Sequence, residues 1–186
     1  MPAFELQPVS LPSGSFAAAW FDDEQCLWND SRLRKPQSLR AFWNTPSLQL
    51  YRPQLGPTAV LYNPHAFAIS EGMRDELSEF SELEFLPVEI KGHGLFYILH
   101  VVASLELPAG SRAHIPGAPG YNIVNIQAFP SSFEPSEAFF RIRQPALSAA
   151  GRTDSCVLST FANARGAHAI RSLASAYISS FQVASA

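Results

Sequence analysis

The sequence predicts an α+β protein, with mixed and antiparallel β-sheets and two main helices set in two strand–helix–strand halves. Three observations lead there. Short apolar runs recur between turns, and fifteen prolines punctuate the chain. Ser70 precedes Met73, Leu77 and Phe80, which stand at i, i+4 and i+7 and so share one helical face. A fainter copy of the same pattern, a short apolar run ending in Ser159, stands near the C-terminus.

The length of 186 residues suits a single domain over 1–186, long enough to bury a core. Within it an irregular N-terminal part covers 1–55, the best-specified core 56–105, and a C-terminal half 106–186. Apolar residues at 47% and 14 phenylalanines exclude a disordered chain. Charged residues are 16% of the chain, below the roughly 25% of an average soluble domain. A lightly charged surface is compatible with a standing partner, and oligomeric state is left open, a homo-oligomer included.

In order along the chain, residues 1–15 carry prolines and serines and are expected to lie extended on the surface. Ser15–Asp22 suits a strand or a short helical turn, and Asp22-Asp23-Glu24 a solvated loop. Trp20, Phe21, Trp28, Phe42 and Trp43 crowd the next stretch, each ring able to bury on the order of 150–250 Å². They read first as core. Interleaved with Arg32, Arg34, Lys35 and Arg40, they read alternatively as a stacking platform for single-stranded nucleic acid. Prolines then cut Thr45–Pro64 into short pieces, with strands expected at Leu48–Tyr51 and Ala59–Tyr62.

Ala66–Ile69 is a short apolar strand. Ser70 sits where an N-cap belongs, and Glu71 follows at the positive end of the helix dipole. Glu71, Asp75, Glu76 and Glu79 lie off the apolar stripe, with Arg74 the one base among them. After a turn at Ser81-Glu82, Glu84–Ile90 reads as a strand with Leu86, Val88 and Ile90 on one face. Pro87 cannot donate to a ladder on its own side, which argues for an edge or a strand end. Lys91–Gly94 is a glycine-bearing hairpin loop. Leu95–Ala103 is apolar on both faces and is therefore expected to be central and covered on both sides.

Leu107–Gly120, rich in glycine and proline, is expected to be a long loop. It is not a phosphate loop, because no Lys-Ser/Thr follows its glycines. Tyr121–Phe129 and Ala138–Arg143 read as strands, the second with Arg141 and Arg143 on one face. Ser159 is expected to cap a helix over Phe161–Ala174, weakened by Gly166, before a last strand over Tyr177–Val183.

Net charge is −3, which gives no general case for nucleic acid. Its distribution is uneven. Residues 1–30 hold five acids and no base, Ser31–Ser70 five bases and no acid, and 71–106 eight acids and two bases. These blocks either neutralise one another across the fold or expose a patch for a charged partner. Cys26 and Cys156 are far apart, without a CxxC spacing, as expected of buried, reduced thiols in the cytoplasm. The first residues lack the basic and apolar regions of a signal peptide, and no run approaches the ~18 apolar residues of a membrane span.

No nucleophile elbow, zinc-protease, phosphate-loop or dinucleotide-binding pattern occurs. His65, His93 and His114 fall in loops, so a small hydrolase or transferase built on loop histidines is the enzymatic alternative, but they lack paired metal-ligand spacing. His100 stands mid-strand as a hydrogen-bonded core residue, and His168 on the second helix beside Arg165 and Arg171. Neither a metal nor a cofactor is expected, and Glu82 and Glu84 have no support as an acid/base pair.

The run Ala68-Ile69-Ser70-Glu71 with Met73-Arg74-Asp75-Glu76-Leu77, then Glu84-Phe85-Leu86-Pro87-Val88-Glu89 and Phe96-Tyr97-Ile98-Leu99, resembles the immunity protein eleven family of bacterial polymorphic-toxin systems. Phe140-Arg141-Ile142 and Val157-Leu158-Ser159 are similar to that family's second strand–Ser–helix unit. The resemblance spans about residues 60–105 closely and 138–183 loosely. It departs from the family's pattern at Gly72 and Met73. It implies a cytoplasmic immunity protein whose partner is a cognate protein toxin, with no catalytic residues. The outward acids Glu71, Asp75, Glu79 and Glu82 are then the candidate contacts for a basic toxin cleft.

Overall fold

The computed structural model describes residues 2–8, 19–21, 32–33, 35–50, 66–114, 125–143, 159–174 and 178–185. The N-terminal third supplies β1 (Phe4–Pro8), β2 (Ala19–Phe21), a single 3-10 turn (Arg40–Phe42) and β3 (Ser47–Leu50). The middle supplies β4 (Phe67–Ile69), α1 (Glu71–Leu77), β5 (Leu83–Ile90), β6 (Gly94–Val101), β7 (Ser104–Glu106), β8 (Arg112–His114) and β9 (Asn125–Phe129). Then come β10 (Phe139–Arg143), β11 (Thr160–Ala162), α2 (Ala164–Ala174), β12 (Ile178–Gln182) and β13 (Ala184–Ser185). The class is α+β, and among the described residues strand outweighs helix.

The helix over 71–77 forms for the reasons its sequence gives. The Ser70 hydroxyl accepts from the Met73 amide at 3.4 Å, Leu77 and Phe80 are buried, and Met73 packs against them. Ser70→Ala removes that acceptor and is expected to cost about 1 kcal/mol. Urea denaturation would check it, an unchanged midpoint contradicting the capping role.

Both helices cross over within split strand–helix–strand units. β4 and β5 each pair antiparallel with β6, so they run parallel with β6 between them. β11 and β12 each pair antiparallel with β1, so they run parallel with β1 between them. The two halves therefore share a topology but draw the middle strand from different places. In the first it follows the helix, and in the second it comes from the N-terminus. For residues 2–8 this corrects the expectation of a surface position, while 9–15 lie outside the described residues. Ala3 and Leu6 are buried, because β1 fills the gap that the α2 crossover leaves open.

The sheets run in the order β2-β3-β5-β6-β4, β12-β1-β11-β10-β7 and β13-β9-β8. β6 leads into β7 across Val102 and Ala103, where the chain passes from the first sheet to the second and the Arg141 amide bonds the Ala103 carbonyl. α1 and α2 lie side by side and cover one face of this paired surface. Under them a single cluster joins Leu6, Phe67, Leu77, Tyr97, Phe139 and Ile170. On the other face of the first sheet, Leu33 and Leu39 meet Leu48, Leu86, Val88 and Ile98. Beyond the second, Phe129, Phe140 and Phe161 meet in a ring-on-ring cluster.

Other expectations change in detail. β5 is not an edge strand, since it lies between β3 and β6. Proline is tolerated at 87 because β3 pairs only as far as Glu89, so the missing donor disturbs no ladder bond. β6 is central as expected and buried from Tyr97 to Val101, but Leu95 at its start is exposed. The glycine-rich stretch 107–120 is not loop throughout, since it contains β8. Arg141 and Arg143 part company, Arg141 being fully buried and Arg143 exposed.

Ser159 does not cap the second helix. Its hydroxyl donates to Glu5 at 2.5 Å, and 160–162 is strand. Asn163 caps instead, its Oδ1 accepting from the Arg165 and Gly166 amides at 2.9 and 3.1 Å. The two halves are therefore alike in topology but not in their caps. Ala59–Tyr62, Trp28, His65 and both cysteines lie outside the described residues.

Candidate functional site

α1 turns its apolar stripe inward, which leaves Glu71, Asp75, Glu76 and Glu79 exposed on the opposite side. Arg74 bridges two of them, meeting Glu71 at 3.2 Å and Asp75 at 2.5 Å. Its guanidinium lies 4.3 Å from the centre of the Tyr97 ring, and the Asp75 carboxylate raises its pKa above the usual arginine value. Arg165 of α2 reaches Glu79 at 2.7 Å while lying over Phe80. Exposed pairs of this kind contribute little stability. They do fix where the carboxylates stand.

Glu82 is different. Its Oε1 accepts from the Ala138 amide at 2.8 Å, and its carbonyl accepts from the Val102 amide at 2.9 Å. It clamps the seam where the two large sheets join. Of the four acids singled out from the sequence, Glu71, Asp75 and Glu79 share one exposed surface, and Glu82 is committed to that seam.

A second polar group lies inside. The β5–β6 register sets Glu84 directly across from His100, and Glu84, His100 and Arg141 are all buried. The Glu84 carboxylate accepts from Ser38 Oγ at 2.7 Å, the Leu39 amide at 2.8 Å and the Arg40 amide at 3.1 Å. His100 Nε2–H donates to the Gln37 carbonyl at 2.9 Å. Trp43 Nε1–H donates to the Pro87 carbonyl at 2.8 Å. Together these bonds seat residues 37–43 on the outer face of the first sheet. His100 is the hydrogen-bonded core residue that its mid-strand position implies. Glu84 was not legible as a seat, because an acid in an apolar strand carries no spacing signal and its partners are over forty residues away.

Burial, and then the Arg141 charge, lower the His100 pKa to about 4. The unfolded chain takes up this proton near pH 6.5 and the folded one only near pH 4, so acid favours unfolding. Stability is expected to be complete above pH 6.5 and to fall by about 3 kcal/mol as pH drops to 4. Urea unfolding across pH 4–7.5 measures this, and His100→Gln should flatten the profile through that window.

Among the described residues no three His, Cys, Asp or Glu side chains group as a metal site would need. His93 is exposed in the β5–β6 turn and His168 is exposed on α2. Of the aromatic residues read as a stacking platform, Phe42 is 66% exposed, while Trp43 packs against the sheet. Among the described residues no helix is long and apolar enough to cross a membrane. No protein-family model matches this chain, and no curated protein matches it.

Proposed function

We propose that this chain is an immunity protein, which binds a cognate bacterial toxin and neutralises it by forming a stoichiometric complex. The observation that carries this reading is the exposed acid row of α1. Glu71, Asp75 and Glu76 stand outward on a capped helix, and Glu79 on the turn that follows it. Arg74 and Arg165 offset two of these four charges, so the surface keeps a net charge of −2. That sign suits a basic cleft of the kind a nuclease presents, and complementary charge speeds docking and rejects wrong partners. The resemblance read from the sequence over about residues 60–105 to the immunity protein eleven family supports the same reading. Glu82 supports this surface from the seam and makes no contact in this reading.

Co-expression in a bacterial host tests the reading. A toxin encoded beside this chain should kill cells that lack the protein and spare cells that hold it, and equal killing refutes the function. With toxin in hand, the variant Glu71→Lys/Asp75→Lys/Glu79→Lys is expected to raise Kd by roughly tenfold or more, chiefly through slower association.

A further inference from the structure

The stretch from Lys35 to Thr45 forms a ledge with a buried underside. Leu39 is 2% exposed and packs with Leu33, Leu86, Val88 and Ile98. Glu84 and His100 hold residues 37–40 from below, and Trp43 is tied to Pro87. What these anchors leave outward includes basic and aromatic side chains set among the neutral Gln37, Ser38, Ala41, Asn44 and Thr45. Lys35 is exposed, the Arg40 side chain is 78% exposed, and Phe42 is 66% exposed with the Arg32 guanidinium 6.0 Å from its ring centre. No acid occurs anywhere in Ser31–Ser70. The ledge and α1 cover opposite faces of the first sheet, since α1 packs on Tyr97 and Leu99 while Leu39 packs on Ile98.

We propose that this ledge is a second docking surface, which takes an acidic, leucine-bearing segment of a protein partner. Its cations suit carboxylates, and the Phe42 ring offers apolar area at their centre. Arginine and large aromatic rings side by side are typical of the residues that dominate protein interfaces. The backbone beneath is already fixed by buried hydrogen bonds, so binding orders little of the chain. A single-stranded nucleic acid fits less well. It needs successive rings for successive bases, and here Trp43 is held down by its indole N–H. Because the ledge lies across the sheet from the acids of α1, it can be occupied independently of a toxin bound there.

The test is fluorescence anisotropy at low salt, with a fluorescein-labelled peptide of aspartate and glutamate bearing leucine at every fourth position. The expected result is binding that Arg40→Ala/Phe42→Ala weakens by roughly tenfold or more. Both replaced side chains are exposed, so an unaltered Tm verifies that the variant is folded. Absence of peptide binding, or equal affinity in the double variant, overturns the proposal. Preferential binding of labelled oligouridylate, lost in the same variant, overturns it in favour of nucleic acid.

Discussion

Gly166→Ala is expected to destabilise the protein although it places a better helix former within a helix. A Cβ at 166 would lie 2.3 Å from the Ala138 carbonyl oxygen, 3.0 Å from its carbon and 3.2 Å from the Ala162 side chain. The nearest two atoms are backbone. That backbone cannot yield, because the same carbonyl accepts the Asn163 amide at 3.0 Å and Phe139 follows directly in a buried strand. Helix propensity favours alanine by about 1 kcal/mol, but overpacking against a fixed strand typically costs 1–3 kcal/mol and sometimes more. The clash should win, with a net loss of about 2 kcal/mol and a fall in Tm on the order of 4–8 °C. Gly72 is the internal control. Nothing lies within 4 Å of a Cβ there, so Gly72→Ala should instead stabilise by about 0.5–1 kcal/mol. Thermal melts of the two variants should move in opposite directions, and a shared direction would refute the packing argument.

Glu84→Ala is expected to cost about 3 kcal/mol or more, since it strips the acceptor from three donors at once and leaves the buried Leu39 amide unpaired. The loss should be local before it is global. Of their ties to the sheet, residues 37–40 would keep the His100 bond to Gln37 and the packing of Leu39. Trypsin should then cut after Arg40, which Ala41 follows, faster in the variant than in the parent, under conditions where both remain folded. Equal cleavage would mean that Leu39 packing and the His100 and Trp43 bonds hold the ledge without Glu84. Glu84→Gln keeps one acceptor oxygen and should fall between the two. Removing the carboxylate also takes away an influence that raises the His100 pKa, which widens the gap to the unfolded value, so acid unfolding should begin at higher pH in the variant.

The parts of this fold that were legible in the sequence are those whose cause is local. Ser70 caps because a hydroxyl stands three residues before an amide that needs an acceptor. Met73, Leu77 and Phe80 point inward because their spacing matches the helical repeat. Lys91–Gly94 turns because glycine accepts the positive φ found at 92 and 94. The acids of α1 stand outward for the same periodic reason that places its stripe inward.

The second helix was legible only as a pattern. Ser159 and Asn163 are equally plausible caps by residue type. The choice fell to Asn163 because Ser159 found a partner in Glu5, far away in the chain. Gly166 reads as a weakness on propensity alone, yet its lack of a side chain lets α2 approach the strand at Ala138.

The sequence by itself determined the class, the first helix with its cap and inward stripe, the β5–β6 hairpin and the exposed acid row. Each of these depends on residues within a few positions of one another, where propensity and periodicity act. Tertiary structure alone decided that β1 is an interior strand, that Glu82 clamps a seam, and that Glu84 and His100 seat the ledge carrying Arg40 and Phe42. Those outcomes depend on which distant backbone donors arrive beside a buried carboxylate or imidazole. Burying such a group is favourable only when its hydrogen bonds are met, and that condition is fulfilled by the assembled fold.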